Sequence, residues 1–307
     1  MKKILISLAV VGAVGAIVAG ATGAFFSDTE TSTGNTFTAG AIDLTIDNES
    51  YAIDFNIPGY KEDTEITPTG RLVANPANSW PWTDLTNEKF FNFVDLKPGD
   101  YGEDTISIHV DNNDSWLCAA VQITEDNDVD YTEPELDDDT SKNLSNPELA
   151  NGELDDELQF VFWADDGDNV LEENEVATIF VVGTLSDMGT TGQIALADVN
   201  GNVWNTSGGP VSGGADLYIG KAWCYGTLTE SAESQDGLGK VGTSANPSNV
   251  ANGPLDRTTG ISCDGSGVNN ASQTDIVVGD LQFYAVQSRN NSDFSCTNLS
   301  DYTPDWR

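Results

Sequence analysis

A period of two dominates the chain. Ala41-Ile42-Asp43-Leu44-Thr45-Ile46-Asp47 alternates apolar and polar residues, and Thr105-Ile106-Ser107-Ile108-His109-Val110 does the same. Successive side chains of a strand point to opposite faces, so each segment buries one face and wets the other. Trp116 to Thr124, Leu158 to Ala164, Val176 to Thr184, Gln193 to Ala197, Ala215 to Leu228 and Asp275 to Gln287 are also rich in β-branched and aromatic residues. No long segment places apolar residues at helical spacing. Roughly nine to eleven strands between Gly/Asn/Asp loops predict an all-β chain, a jelly-roll-like β-sandwich with long loop insertions. Leu96-Lys97-Pro98-Gly99-Asp100 reads as a tight turn, because proline presets φ at the second turn position and glycine accepts positive φ at the third.

Charge narrows the partners. Fifty acidic against 12 basic residues give a formal net charge of −38, which repels nucleic acid and anionic membranes and attracts cations. Seven tryptophans argue for a packed core rather than a disordered acidic tail. The acid excess fits a salt-adapted surface or a calcium-rich wall environment, and composition does not separate the two.

Residues 1–24 read as a signal peptide: Lys2 and Lys3, an apolar run from Ile4 to Ala21, then Thr22-Gly23-Ala24. Uncleaved, the same run would be long enough for a membrane anchor. The chain beyond it is expected to be secreted, at a cell surface or in a biofilm matrix. Four cysteines, Cys118, Cys224, Cys263 and Cys296, then suggest two disulfides, with three pairings open. Residues 25–40 form an N-terminal arm and 41–307 a single sandwich domain with insertions near 51–92, 126–157 and 230–260. The first insertion holds Trp80-Pro81-Trp82, where the tryptophans serve either the core or recognition. The second is strongly acidic and expected to be solvated. The third is a Gly/Ser/Asn/Pro-rich loop flanked by Cys224 and Cys263.

The run Thr22-Gly23-Ala24-Phe25-Phe26-Ser27-Asp28-Thr29-Glu30, followed by Asn35-Thr36-Phe37-Thr38-Ala39-Gly40-Ala41-Ile42-Asp43-Leu44, resembles the N-terminus of the TasA/camelysin family, which carries SipW-type signal peptides and which archaeal bundling pilus subunits resemble. The resemblance is fairly specific over the first 47 residues and moderate near 96–124. It implies a structural subunit of surface or biofilm fibres, assembled as a head-to-tail homopolymer by donor-strand complementation, with contacts to other matrix or surface proteins. Phe25 and Phe26 would then lie in the donor strand and Phe37 at the boundary between arm and sandwich. An incomplete sandwich exposes a sheet edge that a strand from another chain can satisfy. The alternative is a monomeric surface adhesin or binding module.

Camelysin-like members are associated with metalloprotease activity, but a zincin needs paired histidines and a glutamate, and this chain has one histidine, His109, and no HExxH. An enzyme is therefore not expected, and no catalytic residue is assigned. The best site is a cation site in the loop Asp165-Asp166-Gly167-Asp168-Asn169-Val170-Leu171-Glu172-Glu173-Asn174-Glu175. Calcium takes about six to eight oxygens, and a glycine lets the turn converge them. Asp165, Asp168 and Glu175 are the leading ligands, with Asp166, Asn169 and Glu172 as alternates. Asp111-Asn112-Asn113-Asp114 is a second candidate. Glycan acceptor patterns occur at Asn48, Asn113, Asn143, Asn205, Asn270, Asn290 and Asn298.

Overall fold

A computed structural model describes residues 27–31, 42–53, 72–93, 95–147, 150–191, 193–240 and 253–296. Phe25, Phe26, Phe37 and Asn298 lie outside them. The predicted strands form two antiparallel sheets. The first runs β1 (Ser27–Thr31), β14 (Asp275–Gln287), β6 (Ser115–Asp128), β9 (Gln193–Asp198) and β10 (Gly201–Asn202). The second runs β3 (Val73–Ala74), β2 (Asp43–Ala52), β5 (Tyr101–Asp111), β11 (Ala215–Tyr225), β7 (Leu158–Asp165) and β8 (Ile179–Thr184), with β4 (Trp80–Thr83) also on β2. A separate hairpin pairs β12 (Thr227–Glu230) with β13 (Ile261–Asp264). The chain passes repeatedly from one sheet to the other, as a jelly-roll-like sandwich requires.

The alternation works as expected on one face. Leu44, Ile46, Ile106, Ile108 and Val110 meet Leu117, Ala119, Phe283 and Ala285 of the opposite sheet in the main core. The other face of the second sheet is buried too, which alternation alone does not suggest. Asp47, Glu103, Thr105 and Ser107 are inaccessible there, beneath the 165–178 loop and the segment ending at Lys240. Val161, Trp163, Leu171, Ala222 and Ile261 form a second apolar cluster. Trp163 fits only because its cross-strand neighbour is Gly220: a Cβ there would stand 2.1 Å from the indole. Gly220→Ala is therefore expected to cost about 1–3 kcal/mol by overpacking, read as a lower denaturation midpoint; an unchanged midpoint would contradict this packing.

The turn before β5 forms as read. Asp100 N donates to the Lys97 carbonyl at 2.9 Å, and Gly99 has φ +95°. Within the segment near 51–92, β3 and β4 extend the sheet edge. Trp80 packs edge-on against Phe90, with ring centroids 5.0 Å apart, while Trp82 is exposed and lies 5.5 Å from the His109 ring. The four cysteines pair as Cys118–Cys296 and Cys224–Cys263. The second bridge joins β11 to β13 across the 230–260 loop.

Two expectations need correction. Asn48 is fully buried, and its amide donates to the Asn78 carbonyl and to Asp104 Oδ1, so it is no glycan acceptor in the folded chain. Of the other acceptor positions, Asn205 and Asn290 are exposed, while Asn113, Asn143 and Asn270 are half-buried. The acidic stretch 126–157 is not simply solvated: Asp128, Glu135, Asp139 and Asp155 are buried. Beyond the end of β6, this stretch carries two short helices, α1 (Glu133–Asp138) and α2 (Leu154–Glu157). A third, α3 (Leu185–Thr191), follows β8. Helix α1 opens with a capping box between Thr132 and Glu135.

Candidate metal centre

The loop after β7 folds around its own carboxylates. Asp165 Oδ2 accepts from the Gly167 amide at 3.0 Å and from Thr105 Oγ1 at 3.2 Å, while Oδ1 accepts from Trp163 Nε1 at 3.1 Å. Glu175 closes the loop, its two oxygens accepting from the amides of Asp166 and Glu172 at 2.9 and 3.1 Å. Gly167, at φ +107°, makes the bend. Asp165 and Glu175, two of the three leading ligands, thus spend their hydrogen-bonding capacity on the protein, Glu175 on the loop's amides and Asp165 on the loop and the strands beneath it.

A distant segment completes the site. Arg257 Nη1 lies 3.0 Å from Asp168 Oδ2, 2.6 Å from Glu172 Oε1 and 3.1 Å from Asp236 Oδ2. Lys240 reaches beneath the loop to Asp47 at 3.3 Å and to Ser107 Oγ at 2.7 Å. Sequence reading missed Asp236, Arg257, Lys240 and buried Glu103. Among the described residues Arg257 is the cation ion-paired with this group, reaching three of the six carboxylates of Asp165, Asp166, Asp168, Glu172, Glu175 and Asp236. Burial and then the neighbouring carboxylates push Asp168 up to about 9 and Asp166 up to about 6, and raise Asp165 and Glu175 as well. Glu103, wholly buried behind them, is raised for the same reasons.

The donor set is all oxygen and suits a hard divalent cation. Oxygens of Asp165, Asp166 and Asp168 converge within 4.8 Å, as do those of Asp166, Glu172 and Glu175, and of Asp168, Glu172 and Asp236. Asp166 Oδ1, Asn169 Oδ1 and Glu172 Oε2 are buried without a hydrogen-bond donor. Asp166, Asn169 and Glu172, read as alternates, thus keep free oxygens that a cation could take. The Asp111–Asp114 segment does not converge: it is the turn between β5 and β6, with Asn112 at φ +67°, Asn113 accepting from Gln287 and Asp114 accepting from the Gly213 amide. His109 Nδ1 lies 2.6 Å from Asp216, and its Nε2 lies 3.5 Å from Asp111, on the outer face of the second sheet.

Fold and site together define an acidic, disulfide-bonded β-sandwich with carboxylate clusters that could hold metal ions. Its first 61 residues match the family model described as camelysin metallo-endopeptidase, which bears out the TasA/camelysin resemblance for this part of the chain. No curated protein and no solved structure matches. No helix among the described residues is long and apolar enough to cross a membrane.

Proposed function

We propose that the chain is a structural subunit of extracellular surface or biofilm fibres, a head-to-tail homopolymer joined by donor-strand complementation. The observation that carries this reading is β1. Residues 27–31 pair antiparallel with β14, from Ser27 opposite Val286 to Thr31 opposite Gln282, and complete one edge of the first sheet. This short strand lies in the segment that matches the family model and is separated from β2 by residues 32–42. The same ladder can be made by the arm of a neighbouring copy. Such a contact is heterologous and non-closing, so it propagates as a filament. Calcium is the cation proposed for the Asp166–Glu172 centre, where it would fix the 165–178 loop against the sheet. A structural role also agrees with a lone histidine held between two carboxylates. Two disulfides fit an oxidising, extracellular setting.

The test is electron microscopy of the chain from Phe25 to Arg307 beside one lacking residues 25–36, both with calcium. Filaments are expected from the first and monomers from the second. If neither polymerises across a range of salt and calcium, the donor-strand reading fails and a monomeric adhesin, with exposed Trp82 as a contact, becomes the better account.

A further inference from the structure

A second group of carboxylates lies at the far end of the first sheet. Asp128 ends β6 and sits directly opposite Asp275, the first residue of β14. Glu135 comes from α1, Asp139 from its C-terminal cap, and Glu153 from the residue before α2. Asp128, Glu135 and Asp139 are at most 1% exposed. Oxygens of Asp128, Glu135 and Asp275 lie within 4.8 Å of one another, and so do those of Asp128, Asp139 and Glu153.

Hydrogen bonding divides these side chains in a consistent way. Asp128 Oδ2 accepts from Tyr131 Oη at 2.6 Å. Asp139 Oδ1 accepts from the amides of Ser141 and Lys142 at 2.6 and 3.1 Å. Glu153 Oε1 accepts from Ser141 Oγ at 2.6 Å, and Asp275 Oδ2 from the amides of Glu153 and Leu154 at 2.7 and 3.1 Å. In all four residues the second oxygen, namely Asp128 Oδ1, Asp139 Oδ2, Glu153 Oε2 and Asp275 Oδ1, is buried and receives no N–H or O–H donor, although the Asp128 and Asp275 carboxyl groups lie within hydrogen-bond reach of each other. No ion pair among the described residues reaches them. Lys142, the nearby cation, donates to the carbonyls of Leu136 and Asp139 instead. One oxygen held by the protein and the other free is how a protein orients carboxylates toward an ion. Leaving several such oxygens buried and unpaired is otherwise costly.

We infer that Asp128, Asp139, Glu153 and Asp275 form a binding site for a hard divalent cation of the calcium class, which pins the 129–153 segment to the ends of β6 and β14; Glu135, whose oxygens accept from Thr132 and Thr274, lies beside it as a capping group. Oxygens around calcium stand about 2.3–2.6 Å from the ion, so ligands on opposite sides are roughly 5 Å apart, and oxygens within 4.8 Å of one another can share one ion. The site shares no residue with the Asp166–Glu172 centre and does not depend on fibre formation.

Hydrogen-exchange mass spectrometry of the chain from Phe25 to Arg307, in chelator and in calcium, tests this. Calcium at about ten times its dissociation constant is expected to slow exchange of peptides within 129–153 by about tenfold. Asp139→Asn and Glu153→Gln, on the insertion rather than in the sheet, should abolish that protection while leaving any protection of the 165–175 peptides intact. Asp166→Asn should do the reverse. Equal exchange of 129–153 with and without calcium overturns the site, as does protection that survives both insertion variants. Asp128→Asn is a less clean test because it alters the sheet itself.

Discussion

Asp104→Ala is expected to destabilise the chain by about 3–5 kcal/mol, the usual consequence of stripping one partner from a buried ion pair. Lys221 and Asp104 are cross-strand neighbours on β11 and β5, with Nζ 2.9 Å from Oδ2 and neither side chain exposed. The ammonium also stands 3.8 Å from the centroid of Phe91. Burial lowers the Lys221 pKa, and Asp104 counters that shift. Without the carboxylate, a lysine held under aromatic rings must remain charged at high cost or lose its proton. Replacing both residues, as in Asp104→Leu with Lys221→Met, should recover most of the loss. Urea unfolding of both variants checks this. A single substitution no worse than the double one would mean that the pair holds nothing together.

The second large effect is linked to pH. Carboxyl groups with raised folded-state pKa hold protons that the unfolded chain releases. Their contribution is therefore fully present below the ordinary carboxylate range, and is lost as pH rises through the folded values. Asp166 at about 6, Asp126 at about 7, Asp275 at about 8 and Asp168 at about 9 set the window. In chelator the melting temperature should thus fall between about pH 4 and pH 9. A divalent cation substitutes for those protons, so calcium should raise the midpoint little at pH 5 and by about 5 °C or more at pH 8, where a kcal/mol corresponds to about 2–4 °C. Calorimetry at the two pH values decides. A calcium effect of equal size at both would show that these carboxylates are not the ones engaged.

Local patterning reached the strands because each carries its own signal. The Ile106/Ile108/Val110 repeat and the Pro98-Gly99 turn are legible within a few residues. The sites were less so, because their logic is long-range. Asp165 through Glu175 could be found as an acid-rich loop, but Arg257 stands 89 residues from Asp168. Only the folded chain shows that Asp165 and Glu175 serve the protein's own donors while Asp166 and Glu172 retain free oxygens. Acidic composition misled for 126–157, since a run of aspartates looks the same whether solvated or folded inward. What distinguishes it is Asp275, which meets Asp128 only through the β6–β14 ladder.

The Cys118–Cys296 bridge gives this ladder a mechanical character. Beyond Gln287 the chain leaves β14 and returns to β6 at Cys118, a sequence separation of 178 residues. A tensile pull entering through β1 passes first into β14, then into its 13-residue pairing with β6. Peeling β14 from that neighbour runs into a covalent stop near Cys296. If subunits are joined as proposed, an arm under traction should therefore slip from its neighbour before that neighbour unravels.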